Sequence, residues 1–255
     1  MAAGRAKLAI AQGMSVWVLE APEGFGDAGV HAHHAIQITL SLRGSLALMT
    51  GGETLAGPAI AVAADARHRF EAHGLLAFVF VEPESRPGRA LAEALFPEGQ
   101  GIAALDAGVL GEALAALAST FEAALSAEAL LAAGGAAVER LAPTAGPASL
   151  PDARVQKVID HAAAHLDGAL SLAGAARGAG VHLSPSRLRH LFVEQTGLAF
   201  KTYVLWLRLV RALQIYADGR SLTEAAHAAG FADSAHFSRV FKRTFGLPAT
   251  TLTRI

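Results

Sequence analysis

The chain of 255 residues has no cysteine, which excludes disulfides and thiolate-bound zinc. Although 53% of its residues are hydrophobic, no apolar run of about eighteen residues or more is free of charge, so no membrane-spanning helix is expected. The first residues, MAAGRAKLAIAQG, lack the apolar core and the cleavage pattern of a signal peptide, and the chain reads as cytoplasmic. Net charge is also scarce, a formal −1 at neutral pH.

That near-neutrality conceals a division. Residues 1–151 hold 8 Lys+Arg against 15 Asp+Glu, net −7, and residues 152–255 hold 13 against 7, net +6, which together give the −1 of the whole chain. A basic half joined to an acidic one fits a polyanion-binding module attached to a domain that must not bind the polyanion. Randomly distributed surface charge is the alternative.

Length allows two domains, each with its own core. From Val16 to Val81 the runs SVWVL, IQITLSL, SLALMT and AFVFV are rich in β-formers and separated by Gly-containing turns, which predicts antiparallel strands in a small barrel or sandwich. From Gly88 to Leu141 Ala, Leu and Glu recur at helical spacing, with interruptions predicted at Pro97–Gly101 and at Gly134-Gly135. These helices would pack on the barrel or on a partner subunit. The Pro-rich stretch 142–152, APTAGPASLPD, reads as an exposed linker.

Beyond the linker nearly everything is helical, and one segment occurs twice. Residues 188–200 read LRHLFVEQTGLAF and residues 237–249 read FSRVFKRTFGLPA, 49 positions apart. Leu188, Leu191, Phe192 and Gly197 match Phe237, Val240, Phe241 and Gly246, so the apolar anchors and the glycine repeat while the polar residues change. Ser184-Pro185 and Asp233 cap the two helices, 184–195 and 233–244, and a helix over about 199–217 joins the copies. With the anchors facing the core, Ser186, Arg189 and His190 point outward from the first helix. From the second, Ala235, Arg239 and Lys242 point outward with Ser234, His236 and Ser238 on the flanks. Arg suits guanine O6 and N7, His and Ser suit base edges or phosphates, and Ala suits a thymine methyl. Lys242 and Arg243, late in their helix, are placed for phosphates. An ordinary solvated face explains one such helix, but two at a fixed spacing point to DNA.

The run from Ser221 to Arg254 resembles the signature of AraC/XylS-type transcriptional regulators, GF-x-D-x-x-x-F-x-R-x-F-K-x-x-x-G-x-P, and LSPSRLRHLF with TGLAFKTYVLWLRLVRAL resembles the first helix-turn-helix of that family. The resemblance implies an α+β chain: a cupin-like antiparallel β-barrel with packed helices, then an all-α domain of two helix-turn-helix units joined by a long helix. On that basis residues 1–141 are the sensing domain, with a candidate dimerisation segment at 88–141, and 153–255 the DNA-binding domain. It also implies that Ser186, Arg189, His190, Ser234, Ala235, His236 and Arg239 contact bases in successive major-groove segments roughly 34 Å apart. One departure stands out: VHL between Gly180 and Ser184 makes the first turn about two residues longer than is usual in the family.

In the N-terminal half, HAHHAIQITLSLRG carries His31, His33, Gln37 and Gly44 at intervals that resemble the first cupin motif, with Gln in place of Glu. Gly57 and His68 keep the spacing of the second, though Ala63, Asp65 and Ala72 replace its Pro, Gly and Asn. A strand would put His31, His33 and Gln37 on one face and His34 on the other. A cupin barrel would place His68 opposite, so His31, His33 and His68 are candidates for a divalent Zn, Fe, Ni or Mn ion. With no metal or other cofactor, the same cluster and Gln37 would line an effector pocket or make core hydrogen bonds. Arg43, Arg67 and Arg69 flank the motifs and could hold an acidic effector.

The residues therefore support a non-enzymatic, sequence-specific regulator whose partners are double-stranded DNA and a small-molecule effector. RNA polymerase and a second copy of the chain are further candidate partners, and no membrane is among them. The alternative is a metal-dependent cupin enzyme, a dioxygenase or isomerase, with a DNA-binding tether, and a third reading is a nonspecific nucleoid protein.

Overall fold

Runs such as AFVFV place apolar side chains on both faces of a strand, which is tolerable only if both faces are covered. The computed structural model describes residues 4–21, 29–123, 126–143 and 152–254. Among them eight strands form one sheet: β1 (Gly4–Ala11), β2 (Met14–Ala21), β3 (Ile36–Thr50), β4 (Glu53–Ala56), β5 (Ala59–Val62), β6 (His68–Val81), β7 (Ile102–Ala104) and β8 (Leu252–Arg254). The order is β7-β5-β3-β6-β2-β1-β8, with β4 on β3. All pairs are antiparallel except β1 with β8. The chain divides into two compact units, Met1–Ala148 with Ser238–Ile255, and Ser149–Phe237.

In the first unit the parity of each strand residue decides its surroundings. Val16, Val18, Ile36, Ile38, Ala77 and Val79 face three helices, α1 (Arg86–Leu95), α2 (Gly111–Glu122) and α3 (Ala127–Leu141), and bury Leu91, Leu117, Leu130 and Ala137. Each fully buried Val, Ile or Leu contributes about 1.5–3 kcal/mol. Residues of the other parity, Trp17 opposite Phe78 and Gln37 opposite Phe80, face the other way. The helices of 88–141 thus cover the sheet of their own chain.

Three local expectations are corrected. IQITLSL and SLALMT are one 15-residue strand, not two strands around a glycine turn. Gly44 lies mid-strand opposite Gly74, at φ +101° and +96°, beside a register shift between Ser41 and Arg43. A Cβ on Gly44 would strike the His73 carbonyl and one on Gly74 that of Arg43, so the close, bent crossing needs glycine on both strands. Gly134-Gly135 does not interrupt α3: Gly134 brings the helix against Val16, and a Cβ there would collide with that side chain. The HAHH segment is not a strand either. His31 makes an isolated bridge to His68, and β3 begins only at Ile36.

Among the described residues the second unit holds helices without strands: α4 (Ala153–Ala164), α5 (Leu172–Gly178), α6 (Pro185–Thr196), α7 (Phe200–Ala217), α8 (Leu222–Ala228) and the start of α9 (Ser234–Phe245). Its core joins Val155, Val158 and Ile159 of α4 to Leu188 and Phe192 of α6 and Tyr203 and Val204 of α7. Phe192 meets the rings of Phe200 and Tyr203 edge-on. Residues 144–151 of the expected linker lie outside the described residues. No described helix is long and apolar enough to cross a membrane.

Candidate functional site

Each copy of the repeat is helix, glycine turn, helix. In the first, Ser184 Oγ accepts from Arg187 N, Pro185 occupies the first turn of α6, and Gly197 ends it at φ +74°. Leu188 and Phe192 are buried, whereas Ser186, Arg189 and His190 are exposed, with His190 Nδ1 3.7 Å from Glu194. In the second, a capping box between Ser221 and Glu224 opens α8, Asp233 accepts from His236 N to open α9, and Gly246 ends it at φ +72°. Gly230, at φ +81°, leaves no room for a Cβ beside the Leu166 carbonyl, which also accepts from Arg208 Nε at 3.0 Å.

In α9, Phe237, Val240 and Phe241 are buried, and Ala235, Arg239, Lys242 and Arg243 are exposed. Ser234 and His236 are half-buried, and the His236 ring stands edge-on to Phe231 at 5.3 Å. The first turn, between Gly178 and Pro185, is one residue longer than the second, between Ala228 and Ser234. Val181 and Phe231 nevertheless fill equivalent buried places.

The first unit holds a small, partly open aromatic pocket. Trp17, Leu19, Phe70, Phe78 and Phe80 from the sheet, His31 and Gln37, and Phe241, Phe245 and Leu247 from the C-terminal segment line it. Trp17 lies 4.8 Å from the rings of both Phe80 and Phe245 and parallel to Phe241 at 6.4 Å. Trp17 Nε1 is buried without a hydrogen-bond partner. The sequence reading missed these aromatic residues as site residues, although Phe78 and Phe80 share one strand parity and Phe241 and Phe245 one helix face.

Beside the pocket the structure brings His31, His33 and His68 together, with one ring nitrogen of each within 4.8 Å of the others. Gln37 joins them, its Oε1 2.8 Å from His33 Nε2 and its Nε2 donating to Thr39 Oγ1 at 2.7 Å. Asp65, at the motif position where the resemblance expects Gly, holds φ +59°, and its N–H donates to the His33 carbonyl at 2.8 Å. Burial, with repulsion from neighbouring imidazoles, pushes His33 down to about 4 and His68 to about 2; burial also lowers His31. All three are neutral at physiological pH. His34 faces away as expected. Burial alone would lower it, but hydrogen bonding raises it to about 9, and Glu84, 2.8 Å from Nε2, is the close partner, since Asp65 stands 4.0 Å from Nδ1.

The flanking arginines are not gathered here. Arg43 pairs with Glu122 and Arg69 with Glu71, while Arg67 is exposed.

Residues 178–255 match the family described as helix-turn-helix domain. The chain is 39% identical over 67 residues to the uncharacterized HTH-type transcriptional regulator YpdC of Escherichia coli K12, covering 26% of this chain and 24% of that protein. It is equally similar, over the same shares, to the HTH-type transcriptional activator RhaR of Pectobacterium atrosepticum. The chain therefore spans about a quarter of the length of the curated relatives it matches. The crystal structure of ToxT from Vibrio cholerae O395 superposes with a TM-score of 0.57 over 95% of this chain and 99% of that one at 13% identity, so the two share a fold. An unsaturated fatty acid-bound ToxT from V. cholerae strain SCE256 superposes at 0.54, with 15% identity and 92% of each chain covered.

Proposed function

We propose that this chain, whose residues 178–255 form a helix-turn-helix domain of the AraC type, is a transcription regulator that binds a specific DNA duplex and answers to a small molecule in its aromatic pocket. One observation carries this reading. Helix α9 presents Arg239, Lys242 and Arg243 to solvent on one side, while Phe241 and Phe245 on the other side form a wall of the pocket. A molecule entering between those rings and Trp17 changes what α9 packs against. The conformer with the higher ligand affinity then gains population, and the outward face of α9 moves with it.

In this reading Ser186, Arg189 and His190 of α6, and Ser234, Ala235, His236 and Arg239 of α9, address base edges. Lys242 and Arg243 address phosphates. The half-burial of His236 against Phe231 limits it to a flanking contact. The effector is an apolar molecule with at least one hydrogen-bond acceptor, because the lining is largely aromatic and Trp17 Nε1 is an unused donor. The fatty acid bound by ToxT, which shares the fold, belongs to that chemical class.

Selection of binding sites from a random duplex pool with the full chain tests the reading. The expected result is an enriched sequence in two parts, spaced about one helical turn apart. A pool that stays random contradicts it.

A further inference from the structure

We propose that His31, His33 and His68 hold a divalent transition-metal ion of the zinc type through their three Nε2 atoms, with Gln37 Oε1 as a neutral fourth donor, at the edge of the aromatic pocket. The inference stands on the histidine cluster alone and does not rest on the DNA-binding reading.

The tautomers carry the argument. His31 Nδ1 lies 2.9 Å from the Gly29 carbonyl, His33 Nδ1 2.9 Å from that of Ala35, and His68 Nδ1 2.9 Å from that of Ala66. A carbonyl oxygen only accepts, so each Nδ1 bears the proton and each Nε2 presents a lone pair. Metal-bound histidines are held in this way, the outer nitrogen donating to a backbone carbonyl while the inner one faces the ion. His31 Nε2 and His68 Nε2 are buried and have no hydrogen-bond partner. Two unpaired acceptors on one spot are a cost that an apolar core would avoid, and a shared cation removes it.

His33 adds a second sign of the same demand. Its Nδ1 and Nε2 both face oxygens, Ala35 O and Gln37 Oε1, yet a neutral imidazole has one proton to give. Gln37 Nε2 donates to Thr39 Oγ1 in this arrangement, and the hydroxyl would serve the reversed amide equally well by donating to it. A cation between Nε2 and Oε1 converts that repulsion into two ligand bonds. Turning the amide over would satisfy His33 but would leave His31 and His68 as they are. Neutral imidazoles select Zn, Co, Ni or Cu over Mg or Ca. A carboxamide in place of a carboxylate leaves the site with its full double positive charge, suited to an anionic group arriving from the pocket, which His31 and Gln37 also line.

The test is titration of the chelator-stripped full chain with cobalt(II) as spectroscopic probe and zinc(II) as competitor. The expected result is one ion per chain, with the ligand-field absorption of a low-coordinate nitrogen site that zinc abolishes, and a higher Tm in the loaded protein. The exposed pair His161 and His165, ring centroids 4.2 Å apart on α4, is the competing surface site, so His165→Ala must leave the signal unchanged. His68→Phe, which keeps a ring in an apolar surrounding, is expected to abolish it without lowering the metal-free Tm. Gln37→Glu, which supplies an anionic donor, is expected to tighten binding at least tenfold and decides the matter if His68→Phe does not fold. Absence of cobalt binding by the wild-type chain, survival of the signal in His68→Phe, or its loss in His165→Ala overturns the proposal.

Discussion

Replacing Trp17 by Phe separates the two contributions that the pocket offers a ligand. The ring contacts to Phe80 and Phe245 at 4.8 Å persist with a phenyl group, but the unpartnered Nε1–H disappears. A buried donor left unsatisfied costs about 1–3 kcal/mol, and a ligand that supplies the acceptor recovers it. Acetophenone and isopropylbenzene have nearly the same shape and differ in one carbonyl oxygen. Calorimetric titration of the wild-type chain is expected to show acetophenone bound more tightly by about 1 kcal/mol or more, at least fivefold. In Trp17→Phe the ratio falls to about one, because acetophenone loses affinity while isopropylbenzene keeps it. A preference that survives the substitution, or no preference in the wild type, refutes the assignment of Trp17 as the donor in an effector site.

Other outcomes follow from the same geometry. Gly44→Ala and Gly74→Ala each force a side chain into the opposite strand's carbonyl at positive φ, and urea denaturation is expected to show a loss of about 3 kcal/mol or more for each. Because one backbone displacement relieves both collisions, the double variant costs less than the sum; strict additivity contradicts the paired-glycine explanation. Asp152 caps α4, and its hydrogen bonds with Arg154 hold its carboxyl at about 2, below its unfolded value. Its contribution is therefore complete above about pH 4 and lost as pH falls toward 2, so the loss of unfolding free energy in Asp152→Ala, about 1 kcal/mol near neutrality by urea denaturation, narrows across that window. Arg239→Ala is expected to relax base preference at one position at a cost of about 1–3 kcal/mol, whereas Lys242→Ala weakens all duplexes alike and lowers the salt slope by about one; anisotropy titrations at several salt concentrations distinguish them.

The C-terminal half was legible because its signals are local. Caps at Ser184, Ser221 and Asp233 and positive-φ glycines at 197, 230 and 246 mark helix ends within a few residues. The sheet was less so. The bend at Gly44 and the passage of α3 through Gly134 depend on what lies across from each glycine, and spacing along the chain does not contain that. Short β7 and β8 owe their existence to partners distant in sequence, β5 and β1. The histidine cluster was readable from its intervals, whereas the aromatic pocket joins residues as far apart as Trp17 and Phe245 and emerges only when the C-terminal segment packs on the sheet.

Specific DNA binding by the two repeated helices is read from the ratio of dissociation constants for a selected duplex and a scrambled one of equal length, measured with the full chain at fixed near-physiological salt. Binding to the selected duplex is expected to be at least about 10³-fold tighter, with most of that ratio lost in an Arg189→Ala, Arg239→Ala double variant. Equal affinity for both duplexes would contradict it.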